Sequence, residues 1–246
     1  MDLLLRYEQQ SALVNKRVLY QTLAQAREGE KINFIIFSCL ASKKDKEELV
    51  MDFFKTAFFY GGTKKVSRKF KRTTAIIQEL RDLGAPSEVT LILPNTEPAR
   101  TWGWQTPLDE LTLACEIMAE EAEVSGLFTG SWRVKLWSEI ETSYGGEWSF
   151  QRALDWARGS GPHQFKVREQ INCLAKFSER YHFPLGLKET ALRQVAAYAF
   201  EGVVLGAQLP SAILLQSENP YSEKDPLYNC LRDKNSPLPI IHPFLI

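Results

Sequence analysis

Residues 31–37, Lys31-Ile32-Asn33-Phe34-Ile35-Ile36-Phe37, form a short and almost wholly apolar run. A charged, helix-like stretch precedes it, and Ser38 with a polar cluster follows. Six residues without polar alternation are what a strand buried on both faces requires, so the segment reads as a central strand of a parallel sheet. Glu88-Val89-Thr90-Leu91-Ile92-Leu93, after the Gly84-Ala85-Pro86 turn, and Ala212-Ile213-Leu214-Leu215 repeat the design. The segments between carry helical periodicity and are long enough for crossovers, which predicts an α/β fold with a mainly parallel sheet flanked by helices. Trp132-Arg133-Val134-Lys135-Leu136 instead alternates apolar and polar residues, as a half-exposed edge strand does.

Two helices stand out between these strands. Thr106-Pro107-Leu108-Asp109 offers a hydroxyl cap, proline at the first helical position and an acid three residues after the cap. The expected apolar stripe is Leu108, Leu111, Cys115, Met118 and Ala122, with Glu110, Glu120, Glu121 and Glu123 toward solvent. The second helix, residues 188–205, is nearly all apolar from Ala191 to Leu205, interrupted chiefly by Arg193, Gln194, Glu201 and Gly202. Such a helix has to be largely buried.

The chain has 246 residues, 44% of them hydrophobic, which suffices for one ordinary core. No repeat or interdomain linker interrupts it, so residues 1–246 read as a single domain. Thirty Lys and Arg residues balance thirty Asp and Glu, which excludes a globally basic nucleic-acid binder but allows a local basic patch. No apolar run approaches the roughly 18 to 20 residues of a membrane span. The apolar stretch within Met1–Arg6 is too short for a signal peptide, so the expectation is a cytoplasmic protein without a membrane partner. Cys39, Cys115, Cys173 and Cys230 are scattered without metal-ligand or disulfide-framework spacing and are expected to be buried thiols.

In an open parallel sheet the site lies beyond the carboxyl ends of the strands. There the chain places Ser38 to Lys44, Pro94 to Arg100 and Gln216 to Tyr221, all polar loops. No dinucleotide, phosphate-loop, zinc-hydrolase or nucleophile-elbow motif is present. His163, His182 and His242 sit in loop-like surroundings, none of them at an expected strand end. Ser38, directly after a buried strand, is placed as a nucleophile at the crevice or as a cap of the next helix. Cys39 beside it reads as core. Residues 63–72 form a dense cationic block in which Lys64, Arg68, Lys71 and Arg72 share one helical face, a track for phosphates, with Lys65 and Lys69 adding charge. Glu201 lies one turn after Tyr198 in the apolar helix. An unpaired buried carboxylate is costly, so Glu201 is expected to be paired, protonated or used.

The order of these elements resembles the cyclodipeptide synthases, tRNA-dependent enzymes built on the catalytic domain of class I aminoacyl-tRNA synthetases. The resemblance covers most of the chain. It rests on the serine after the first core strand (Phe34 to Ser38), the alternating strand running into Trp137-Ser138-Glu139-Ile140, and the Tyr/Glu-bearing helix leading into Ala212 to Leu215. It implies a Rossmann-like domain and an acyl-enzyme mechanism needing neither metal nor bound cofactor. One aminoacyl-tRNA would donate its residue to Ser38, a second would accept it, and the free amine would close a diketopiperazine. Tyr198 and Glu201 would hold and deprotonate the attacking amine, and Lys64, Lys65, Arg68, Lys69, Lys71 and Arg72 would hold tRNA. The glycine-flanked serine of the bacterial members is replaced here by Phe37-Ser38-Cys39-Leu40, and their Tyr-x-x-x-Glu by Tyr198-x-x-Glu201. The chain is in this respect similar to the divergent fungal branch that uses arginine. A guanidinium substrate needs carboxylates. Glu97, Asp109, Glu201 and Glu218 are the candidates, with Glu110 and Arg100 completing the expected substrate-binding set. The alternative readings are a nucleotide-dependent ligase or transferase on the same kind of sheet, and a non-catalytic RNA-binding module.

Overall fold

The computed structural model describes residues 13–37, 74–75, 77–79, 81–103, 105, 107–124, 131–176, 183–215, 225–232 and 238–241. Helix α1 (Leu13–Arg27) leads into β1 (Ile32–Phe37), and β2 (Ser87–Leu93) runs into a π-helical turn, Pro98–Trp102. Next come α2 (Leu108–Val124), β3 (Ser131–Leu136), α3 (Trp137–Thr142), α4 (Phe150–Arg158), α5 (Gln164–Ala175) and α6 (Gly186–Gln208). The described chain closes with β4 (Ala212–Leu215), α7 (Asp225–Tyr228) and β5 (Ile240–Ile241).

The strands form one sheet in the order β3-β2-β1-β4-β5, and every pairing is parallel. The apolar run of residues 32–37 is therefore central. It pairs Ile32 to Ser87 through Phe37 to Ile92 on one side, and Asn33 to Ala212 through Ile35 to Leu214 on the other. Side chains alternate across a strand. Ile35 and Phe37 join Ile92, Ala212 and Leu214 in a core completed by α4, α5 and α6, while Ile32, Phe34 and Ile36 are buried on the opposite face. Helix α1 packs against β1 and β5. The sheet is thus covered by helices, and its strand order is that of a Rossmann-like fold. The expected edge strand is found at β3, where Trp132, Val134 and Leu136 are half-buried and Arg133 and Lys135 exposed.

Helix α6 is buried almost from end to end, fourteen of its residues lacking meaningful exposure. It contacts α3, α4, α5, α7 and the π-helical turn. Gly202 lets the chain around α7 approach: a Cβ there would lie 1.7 Å from the Tyr228 carbonyl oxygen. Arg232 Nη1 donates to the Gly202 carbonyl at 2.9 Å, closing the same contact.

Two expectations need correction. Leu108, expected on the apolar stripe of α2, is 53% exposed, whereas Leu111 and Cys115 are buried. As the first residue of the helix it has no preceding turn for its side chain to cover. The side chains of Met118 and Ala122 lie outside the described residues. The cysteines are not uniformly buried either: Cys115 is, Cys173 is half-buried, and Cys230 is exposed in the turn after α7. No helix among the described residues is long and apolar enough to cross a membrane.

The backbone contact at Gly202 gives a direct test of the packing. Gly202→Ala should lower stability by about 1 to 3 kcal/mol, the cost of overpacking, which outweighs the roughly 1 kcal/mol helix-propensity advantage of alanine. Gly206→Ala, whose Cβ would meet only the guanidinium of Arg232, should cost less. Paired denaturant titrations check the ranking.

Candidate active site

The chain lays down β1, β2 and β3 in one direction across the sheet, then returns through α6 to place β4 on the other side of β1. That reversal opens a crevice beyond the carboxyl ends of the central strands. The segment leaving β2 turns into this region and buries three polar side chains, Asn95, Glu97 and Thr101.

Asn95 ties the segment to the start of α3. Its Nδ2 donates to Thr112 Oγ1 at 3.0 Å and to Ser138 Oγ at 2.9 Å, and its Oδ1 accepts from the Ser138 N–H at 3.1 Å. The last bond satisfies an N–H in the first turn of α3 that has no partner within the helix. Beyond Asn95 the chain enters the π-helical turn with proline at its first position. Thr101 Oγ1 donates to the Glu97 carbonyl at 2.7 Å, and Gly103, at φ 73°, ends the turn with its N–H on the Pro98 carbonyl. Arg193 of α6 reaches across with Nη1 on the Arg100 carbonyl at 2.9 Å, while its Nε is held by Glu189. The turn is therefore locked to both α3 and α6.

This locking brings Glu97 to Glu201. The two buried carboxyl groups share a hydrogen bond. An ionised carboxylate has no donor, so one of the pair carries the proton. Burial pushes the Glu97 carboxyl up to about 7. The Arg100 guanidinium opposes that rise, the Glu141 carboxylate adds to it, and the bond to Glu201 lowers it again. Arg100 is itself occupied: Nη1 pairs with Glu141 Oε2 at 2.5 Å, and its guanidinium lies 5.4 Å from the centre of the Phe150 ring. One turn before Glu201, the ring of Tyr198 packs on that of Tyr228 at 5.3 Å.

An aromatic chain connects this acid pair to the end of β1. Phe37 meets the edge of Trp137 at 5.2 Å, and Trp137 meets Phe200 at 6.3 Å, both near right angles. Phe200 is the neighbour of Glu201, and Phe37 is the residue before Ser38. The Trp137 Nε1 is buried without a hydrogen-bond partner among the described residues.

Of the residues singled out in the sequence, Glu97, Arg100, Tyr198 and Glu201 are thus gathered within one neighbourhood. Asp109 and Glu110 are exposed in the first turn of α2, and no ion pair joins them to another described residue. Ser38, Glu218, Lys64, Lys65, Arg68, Lys69, Lys71 and Arg72 lie outside the described residues, as do Cys39, His182 and His242. His163 lies in the turn before α5, stacked on Trp156 at 4.3 Å with Nε2 at 3.1 Å from the Gly159 carbonyl. Cys115 is buried, its thiol pushed up to about 12 chiefly by desolvation, so it is not a nucleophile at neutral pH. Among the described residues no group of His, Cys, Asp and Glu is arranged to hold a metal ion. Sequence reasoning missed Asn95, Ser138 and Glu141. The one available signal was the Glu139-x-Glu141 pair immediately following an edge strand.

No family model matches the chain, and no curated protein matches it. Among solved structures, it is similar to the crystal structure of the PvcA protein from Pseudomonas aeruginosa, with 14% sequence identity, a TM-score of 0.49, and coverage of 91% of this chain and 75% of that one. That likeness is too distant to bear on chemistry.

The acid pair makes stability depend on pH in a specific direction. A carboxyl raised from 4.5 to about 7 by folding contributes stability that is whole below 4.5 and is lost as pH rises through 7. Glu97→Gln binds no proton there and escapes this loss. The stability of the parent relative to Glu97→Gln should therefore fall by roughly 3 kcal/mol across that window, as urea titrations at stepped pH would measure. A difference that does not change with pH would contradict the buried, proton-sharing pair.

Proposed function

We propose that the protein is an aminoacyl-tRNA-dependent transferase that joins two aminoacyl residues into a diketopiperazine. The observation that carries this reading is Glu201: a carboxyl buried in an apolar helix, bonded to Glu97, beside Tyr198, and linked through Phe200, Trp137 and Phe37 to the strand end that precedes Ser38. A nucleophile position and a proton-handling carboxyl at the same end of a parallel sheet are the two elements that successive acyl transfers need.

The chemistry balances without a further reactant. Ser38 Oγ attacks the aminoacyl ester of the first tRNA; the Oγ–C bond forms, the ester C–O bond breaks, and the serine proton leaves with the tRNA hydroxyl. The α-amine of the second aminoacyl-tRNA then attacks the serine ester, forming the first peptide bond and returning a proton to Ser38. The remaining free amine attacks the second tRNA ester and closes the ring, expelling the second tRNA. Amines attack only when neutral, so Glu201 takes the proton of the arriving ammonium while Tyr198 orients it. The cationic block at residues 64–72 supplies phosphate contacts, which give affinity without base specificity. If arginine is a substrate, Asp109 and Glu110 are exposed acids open to its guanidinium.

Label carried by an aminoacyl-tRNA should move first to the protein and then to a small neutral product. Ser38→Ala should abolish both. Glu201→Gln should leave loading of Ser38 intact while lowering product formation by about a hundredfold or more, the scale of a lost general base. ATP consumption coupled to product, or RNA retention without any transfer, would sink the proposal in favour of a ligase or a binding module.

The same preparation tests the basic block. Neutralising Lys64, Lys65, Arg68, Lys69, Lys71 and Arg72 should flatten the log-log salt dependence of tRNA binding by about 0.7 to 0.9 for each phosphate that the variant no longer neutralises. An unchanged slope would mark the block as a solvated face.

A further inference from the structure

We propose that Glu97 is the positioning residue for Glu201: as a protonated acid it donates its hydrogen bond to the Glu201 carboxylate, and the Arg100–Glu141 ion pair on the adjoining turn governs how firmly that proton is kept. The catalytic consequence rests on Glu201 acting on the attacking amine, as proposed above. The geometry supports this division of labour. Glu97 is fastened by its own main chain, its carbonyl accepting from Thr101 and the turn after it held by Arg193. Glu201 projects from a helix packed on every side and has no room to swing toward a different partner. Two anions so confined would repel, whereas one proton between them converts repulsion into a directed bond.

The surrounding charges come from several elements. Arg100 lies on the π-helical turn and Glu141 on α3. Tyr198 and Arg193 belong to α6, while Tyr228 and Arg232 approach from the α7 side, the latter on the Gly202 carbonyl. On α4 and α5, Arg158 and Lys166 are held by Glu189 and Glu169. Among the described residues, the opposed charges acting on Glu97 are therefore Arg100, which favours the anion, and Glu141, which disfavours it.

That opposition supplies a test that a merely structural role would not pass. Infrared difference spectra of carbon-13 glutamate-labelled protein should show a protonated carboxyl band that disappears as pH rises through about 7 and is missing in Glu97→Gln. Arg100→Gln should move the loss of the band to higher pH and Glu141→Gln to lower pH, each by about one unit, a tenfold change in proton affinity. Product formation should decline along the same limb. Glu97→Ala, which cannot donate, should lose product, and Glu97→Gln, whose amide donates at every pH, should recover it without the alkaline decline. Absence of the band in the parent protein, or shifts of the same sign in the Arg100 and Glu141 variants, would overturn the proposal. The spectra need no substrate. A normal band with no transfer from aminoacyl-tRNA would instead overturn the transferase reading and leave the shared proton standing.

Discussion

Helix α6 has to be buried on all sides, and most of the structure is arranged to meet that requirement. A helix apolar around its circumference cannot rest on a sheet alone, because the side away from the sheet would face water. Here the second side is taken by α4, α5, α7 and the π-helical turn. Small residues permit the close approach needed for this cover: Ala191, Ala196, Ala197 and Ala199 line the helix, and Gly202 admits the Tyr228 carbonyl. Aromatic rings fill the space that remains, with Phe200 between Trp137 and Tyr144.

Burying this helix also buries Glu201, and that determines the character of the site. In water a lone carboxylate is solvated; inside, it needs a donor or a proton. The segment after β2 meets the demand with a second acid rather than a base. An arginine at that position would have made an ordinary ion pair, holding Glu201 permanently ionised and engaged. A second carboxyl instead leaves the pair with a titratable proton near neutrality, a state suited to handing protons on. The Arg100 guanidinium is engaged by Glu141, so it does not neutralise the acids.

The strands were legible because their chemistry is local. Residues 32–37 and 212–215 are apolar without alternation, and the residues of β3 alternate; the first two are central strands and the third an edge, as that difference requires. Helix α6 was legible for the same reason, its composition leaving no solvent face. Glu97, Tyr198 and Glu201 were visible as separate residues: one in a polar loop after a strand, two in an apolar helix. Their meeting was not visible. Neither was the role of Asn95, which looks like any loop asparagine until Ser138 and Thr112 are brought to it across 43 and 17 residues of chain.

What the sequence determined by itself is therefore the set of elements and the anomaly: a parallel α/β sheet and one charge in a helix that cannot expose it. Both follow from burial, which is written in the pattern of neighbouring residues. What only the tertiary structure decided is how the anomaly is resolved. Hydrogen bonds between residues far apart in the chain, Glu97 to Glu201 and the Arg100 carbonyl to Arg193, depend on the order in which strands are laid across the sheet and on the turn that follows β2. No local pattern encodes that order, because it is set by which faces pack together once the whole chain has collapsed.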